Sequence, residues 1–298
     1  MKTFFEFGEI IKDTTEFVIF GIPWDNLTTK AGIDSHSAPK KIRDISYDLA
    51  LTTEIGHYIP NLKVCDMGDI DLESEDISTS IHTIEKFVKE LYKTKSDIIP
   101  IMIGGDHFCT YPTLKEIGKS INTDDVGIIV FDAHLDFYNT WKDNLYSHAT
   151  ITHRLFDLDW VNRNNLLVVG TRDIDIPEKE LAEKYDLHYF NAYELNNNIE
   201  AYIQRIINFF HSNNIEKLYL SIDIDVLDPS AAPGTGYAIP GGFSYRELWT
   251  ILRKLTTFFS VIGFDMVEVA PNLDLPNDVT CTIAAKIIIE LISFIQNL

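Results

Sequence analysis

Asp132, His134 and Asp136 stand at positions i, i+2 and i+4 in the run Phe131-Asp132-Ala133-His134-Leu135-Asp136-Phe137-Tyr138, directly after the apolar residues 126–130. In an extended chain that spacing sets three hard-ligand side chains on one face. Packed away from water, such groups are unfavourable unless a positive charge sits among them, and a metal ion supplies it. The pattern returns in Ser221-Ile222-Asp223-Ile224-Asp225, where Asp223 and Asp225 end another apolar run. A lone D-x-D is most often a solvated turn. Joined with His107 of Gly104-Gly105-Asp106-His107, however, the set becomes His107, Asp132, His134, Asp136, Asp223 and Asp225. One ion cannot easily use all six and keep an open position, whereas two ions sharing bridging carboxylates can. Oxygen donors with some imidazole suit Mn2+, while Zn2+ prefers fewer and softer ligands.

The elements that must position these groups alternate along the chain. Short apolar runs predict strands at residues 17–22, 61–66, 97–103, 126–131, 166–170, 187–190, 218–224 and 260–267. Helical spacing predicts helices that start near Pro39 and that span 78–92, 111–120, 147–158, 178–185, 199–211, 244–254 and 279–295, with Ser147 as an N-cap. Near-continuous apolar strands between helices indicate an α/β fold, a mainly parallel sheet covered on both faces. No repeat or linker interrupts residues 1–298, so one domain is expected. In open α/β sheets ligands gather at the carboxyl ends of the strands. His107, Asp132 to Asp136, Asp223 with Asp225, and Glu268 all follow predicted strands. The acidic residues 66–71 fail the EF-hand spacing, and a solvated loop that caps a neighbour is expected there.

Forty-five acidic against 25 basic residues give a formal net charge of −20. Nucleic acid would be repelled, and a cationic small molecule would be attracted. Cys65, Cys109 and Cys281 are sparse and form no C-x-x-C pair, which fits a reducing compartment; Cys109 reads as a buried, inert thiol. The absence of a signal-like or ~20-residue apolar stretch makes a cytoplasmic protein the expectation.

The ordered set of motifs resembles the ureohydrolase family of arginases, agmatinases and formiminoglutamases, over nearly the whole chain. Gly21-Ile22-Pro23-Trp24-Asp25 resembles the family's first strand end, and residues 221–236 (SIDIDVLDPSAAPGTG), Gly241-Gly242 and residues 264–271 (FDMVEVAP) are similar to the agmatinase branch in particular. The resemblance implies a three-layer arginase-like fold and two Mn2+ per chain, the first held by His107, Asp132, Asp136 and Asp223. The second would be held by Asp132, His134, Asp223 and Asp225. It also implies His148 as proton shuttle, Asp136 as the group that aims the attacking water, Glu268 as the guanidinium-binding carboxylate, and Thr235 as a neighbouring hydrogen-bonding group. His153, one turn beyond His148, reads as structural. A homo-oligomer, trimer or hexamer, is implied by the relatives.

The loop 139–145 lacks the polar pattern with which arginases read an amino-acid head, which favours agmatine, cleaved to putrescine and urea in polyamine biosynthesis. Two departures bear on the tail. Tyr237-Ala238-Ile239 stands where agmatinases often have Thr-Pro-Glu, and residues 30–39 lack the usual more basic, Gly-Pro-containing version. Aminopropylagmatine, guanidinobutyrate and arginine are therefore alternatives. A non-catalytic metal- or polyamine-binding homologue is a different class of reading. A dinuclear phosphoesterase is another, but it would want basic residues that these motifs do not bring.

Overall fold

The computed structural model describes residues 2–25, 30, 32–72, 76–195 and 198–296. Eight strands form one sheet in the order β2-β1-β3-β8-β7-β4-β5-β6, and every pairing is parallel. They are β1 (Phe17–Ile22), β2 (Val64–Asp69), β3 (Ile99–Gly104), β4 (Val126–Phe131), β5 (Leu166–Thr171), β6 (His188–Asn191), β7 (Lys217–Asp223) and β8 (Ser260–Val267). The helices are α1 (Ala38–Ser46), α2 (Ile77–Thr94), α3 (Thr110–Ser120), α4 (Ile151–Leu155), α5 (Ile176–Tyr185), α6 (Ile199–Ser212), α7 (Tyr245–Phe258) and α8 (Val279–Ile295).

Strand side chains alternate between two apolar layers, as a period of two requires. Phe17 and Ile19 of β1, with Ile129 and Phe131 of β4, pack with α1, α6, α7 and α8. Val18, Phe20, Ile128 and Val130 pack on the other face with α2, α3, α4 and α5. The architecture is thus the expected three-layer α/β/α. Among the described residues no helix is long and apolar enough to cross a membrane.

Three local expectations need correction. The second strand begins later than residue 61 and runs through the acidic stretch to Asp69. Asp66 is fully buried there, and its two oxygens accept hydrogen bonds from Arg43 Nε (2.7 Å) and Nη2 (2.9 Å). The acidic residues are therefore not all a solvated loop: a guanidinium delivered by α1 compensates the charge. The predicted helix 147–158 is shorter, a 3-10 turn His148–Thr150 followed by α4. The polar loop between Asp25 and Pro39 lies partly outside the described residues, Ala31 of the segment 30–39 included.

The strand order has one consequence for the site. β3, β8, β7 and β4 are consecutive neighbours at the centre of the sheet. Their carboxyl ends carry His107, Glu268, Asp223 with Asp225, and Asp132 to Asp136. The segments that looked chemical in the sequence are therefore side by side in space.

Candidate metal and substrate site

After β3 the chain turns sharply. A Cβ on Gly105 would lie 2.0 Å from the Trp24 carbonyl oxygen, so this close backbone approach requires glycine. Asp106 then caps a 3-10 turn, accepting from Phe108 N at 3.1 Å, and delivers His107 beneath the sheet rim. The stretch after β4 is not extended, contrary to the expectation that one strand face gathers its three ligands. It bends, and Asp136 takes a left-handed φ of 47°. Glu268, just past β8, does the same at 60°. Left-handed non-glycine backbone is costly and persists where surrounding contacts over-determine it. Here Glu178 of α5 accepts from Phe137 N at 2.9 Å, and Glu268 Oε1 accepts from His107 N at 2.8 Å.

Three of the aspartates are pinned in one manner. Asp132 Oδ1 accepts from His134 N (2.7 Å), Asp223 Oδ1 from Asp225 N (2.8 Å) and Asp225 Oδ1 from Ala133 N (3.0 Å). Each presents its second oxygen to an imidazole. His107 Nδ1 lies 3.1 Å from Asp132 Oδ2 and 3.4 Å from both Asp136 Oδ2 and Asp223 Oδ2. His134 Nδ1 lies 3.0 Å from Asp225 Oδ2 and 3.3 Å from Asp132 Oδ1. Ligand atoms of His107, Asp132 and Asp223 form one compact set and those of Asp132, His134 and Asp225 a second, joined through Asp132.

These residues fit divalent cations. His107 Nδ1 and Asp132 Oδ2 are buried without a hydrogen-bond partner, although they face one another. Burial, with Asp132 next, pushes the Asp136 carboxyl up to about 6. Burial and the Asp225 and Asp132 charges push Asp223 well above the carboxylate range. Burial opposes protonation of both imidazoles, yet the surrounding carboxylates drive them upward. Asp136 and Asp223 drawn toward neutrality beside imidazoles drawn toward protonation mark a cluster short of positive charge, while Asp132, despite burial, is held below the usual carboxylate range by His107 and His134. A third grouping, Asp25, Asp34 and His36, lies partly exposed, with His36 Nδ1 2.7 Å from Asp25 Oδ2 and 3.1 Å from Asp34 Oδ1.

Above the cluster opens a cavity of about 340 Å3, and among the described residues no lysine or arginine lines it. His148, presented by a turn capped by Ser147 and Thr150, is buried, with Nδ1 3.3 Å from Glu268 Oε1. Burial opposes its protonation, but the Glu268 charge outweighs that and lifts it to about 9. Thr235 lines the same cavity, beside Glu268 through a bridge to Val269, and its buried Oγ1 has no hydrogen-bond partner. His153 points elsewhere, packed between Phe137 (5.0 Å) and Tyr185 (5.1 Å). Cys109 is buried, and burial pushes its thiol upward.

Several wall residues were not singled out from sequence. Asp173 and Asp175 form another D-x-D after a strand, the very signal that drew attention to Asp223 and Asp225. Tyr138 donates to Asp175 Oδ2 at 2.7 Å and packs its ring against Trp141 at 4.6 Å. The Tyr237 ring lies 5.6 Å from that of His148 and 6.1 Å from that of His134, and Lys30 Nζ sits 5.6 Å from it on the rim. Arg172, which gave no sequence signal, donates to the carbonyls of Gly170, Asp225, Val226, Leu227 and Ile239 at 2.6–3.3 Å, tying the Asp225 turn to the Tyr237 loop.

A carboxylate and imidazole cluster that could hold metal ions, on the carboxyl rim of a parallel sheet and beneath an acidic cavity, marks this as an α/β protein with a candidate metal site at its strand ends. The arginase family model matches residues 15–293, and the chain belongs to that family of ureohydrolases. It is 34% identical over 290 residues to an uncharacterised 32.2 kDa protein of Methanothermus fervidus, covering 94% of this chain and 92% of that one. It is 29% identical over 285 residues to the N(1)-aminopropylagmatine ureohydrolase of Thermococcus kodakarensis, covering 95% and 92%. The crystal structure of agmatine ureohydrolase of Thermoplasma volcanium superposes with a TM-score of 0.84 at 27% identity, over 99% of this chain and 94% of that one. Formimidoylglutamase of Bacillus subtilis gives 0.87 at 26%, over 96% and 88%.

Proposed function

We propose that this protein hydrolyses a guanidino compound to urea and an amine with two Mn2+ ions, and that agmatine, yielding putrescine, is its preferred substrate. The observation that carries the reading is the cavity itself: its floor holds members of both ligand sets and its wall holds Asp173, Asp175, Glu178 and Glu268, with no lysine or arginine among the described residues that line it. On this reading His107, Asp132, Asp136 and Asp223 hold one ion, and Asp132, His134, Asp223 and Asp225 hold the other. Divalent ions held there would supply Lewis acidity, lowering the pKa of water from about 15.7 toward neutrality.

The chain's own groups do the rest. Glu268, fixed by the His107 amide, pairs with the guanidinium and holds its carbon over the floor. Asp136 accepts a hydrogen bond from the attacking water and aims it. His148, held protonated by Glu268, gives its proton to the departing amine nitrogen. Thr235 Oγ1 is free to bond a guanidinium N–H. The acidic wall and the Tyr138, Trp141 and Tyr237 rings suit a cationic alkyl tail through charge and cation–π attraction. The aminopropylagmatine enzyme among the relatives favours a longer polyamine tail as the second reading. A cytoplasmic homo-oligomer goes with either.

Urea release from Mn2+-loaded protein tests the proposal with agmatine, aminopropylagmatine, guanidinobutyrate and arginine in parallel. The highest kcat/KM is expected with agmatine. Preference for a carboxylate-bearing tail would overturn the substrate assignment, and no urea from any of them would overturn the activity.

A further inference from the structure

We infer that Asp265 is a positioning residue that fixes the tautomer of His107 through Ser221, and thereby readies that imidazole to take a divalent cation. The inference rests on the metal reading above. Asp265 is fully buried in β8, and no lysine or arginine among the described residues pairs with it. Four donors reach it instead. Ser221 Oγ gives a hydrogen bond to Oδ1 at 2.8 Å, Tyr219 Oη and Thr110 Oγ1 give theirs to Oδ2 at 2.9 and 3.0 Å, and Ile222 N reaches Oδ1 at 3.3 Å. Burial pushes this carboxyl up, and the hydrogen bonds from Ser221, Tyr219 and Thr110 work against that by favouring the ionised, accepting form. Burying such an anion is costly, so four donors converging on it is a built arrangement.

The consequence follows from counting protons. A serine hydroxyl has one, and that of Ser221 is committed to Asp265. At 3.0 Å from His107 Nε2, Ser221 Oγ must therefore accept, so the neutral imidazole, the form that can take a cation, carries its proton on Nε2. Its lone pair then stands on Nδ1, the atom that faces Asp132, Asp136 and Asp223 without a hydrogen-bond partner. Without the Asp265 charge, the Ser221 hydroxyl could rotate and donate to Nε2. The imidazole proton would move to Nδ1, bond Asp132 Oδ2, and close the place a cation needs. Ligand imidazoles are commonly set by the partner of the other ring nitrogen. Here that partner is a serine whose direction a buried anion dictates.

Calorimetric titration of Mn2+ into chelator-treated protein tests this, using wild type, Asp265→Asn, Ser221→Ala and the double variant. Wild type should bind two ions, and Asp265→Asn should weaken one of the two events about 10- to 100-fold. Ser221→Ala should weaken the same event, and the double variant should be no weaker than Ser221→Ala alone, because Asp265 acts through Ser221. Excess Mn2+ should restore most of the Asp265→Asn turnover with KM unchanged. Unaltered affinity in Asp265→Asn, or losses that multiply in the double variant, overturns the positioning role. If Asp265→Asn does not fold by circular dichroism, Ser221→Ala decides, and unaltered affinity there overturns it. Fewer than two ions on wild type overturns the metal reading itself.

Discussion

His148 and Glu268 show how one contact sets two properties. Nδ1 of the buried imidazole lies 3.3 Å from the carboxylate, whose charge overcomes burial and raises the imidazole to about 9. A group whose pKa rises on folding adds stability in full below its ordinary value of about 6.5, and loses it as pH rises through about 9. Metal-free His148→Phe should therefore lack part of the wild-type decline in stability between those pH values, measured by denaturant unfolding. As the proposed proton donor, the same variant should keep both ions by elemental analysis while losing about 10²- to 10⁴-fold in kcat. Normal turnover would remove His148 from proton delivery. The clustering of these carboxylates and imidazoles was readable in the sequence because such residue types seldom stand at short spacings directly after apolar runs. Asp265 and Ser221 were not, since a serine and a lone aspartate inside apolar strands look like any others until β7 and β8 are paired.

Among the elements, the turn after β7 and the loop with Tyr237 have little regular structure of their own. Arg172, from the end of β5, supplies their rigidity by donating to carbonyls on both. Lysine offers a point charge and cannot span carbonyls on two segments as the planar fork does. Arg172→Lys should release Asp225 and Tyr237 together. The expected result is weaker binding of one Mn2+ by calorimetry and a raised KM, each roughly tenfold, with secondary structure unchanged. Unaltered metal affinity and KM would show that the turns hold themselves. Such a clamp leaves no sequence signature because its partners are backbone atoms. Strands were legible for the opposite reason: β4 is an unbroken apolar run, β8 and helix α8 are mostly apolar with clear ends, and the expected bounds match. The second strand was misplaced because its acidic residues read as loop, and nothing local reveals that Arg43 neutralises Asp66.

At the scale of the molecule, that same Arg43–Asp66 pair joins α1 to the outer strand β2. Both side chains are almost wholly buried, and Asp69 shares the guanidinium. Removing one partner strands a buried charge, which costs about 3–5 kcal/mol. Asp66→Asn should lower the free energy of unfolding by that order in a denaturant titration, and a loss under 1 kcal/mol would show the pair to be dispensable. The net charge of −20 belongs to this scale too, since it sets the sign of the field that the proposed cationic substrate would meet on approach.

The strand order also dictates how the molecule can be made. β8 lies between β3 and β7 and is the last strand in the chain, so it is the keystone of the sheet. As synthesis proceeds, β2-β1-β3 and β7-β4-β5-β6 can each pair, yet their inner edges stay open until residues 260–267 emerge. All six proposed ligands have left the ribosome by then, while Asp265 and Glu268 have not. A nascent chain is therefore rich in carboxylates and imidazoles before it has the strand that orients His107 or the group proposed to grip the guanidinium. On the proposed reading, capture of metal in the right tautomeric state, and any turnover, must wait for that one late insertion.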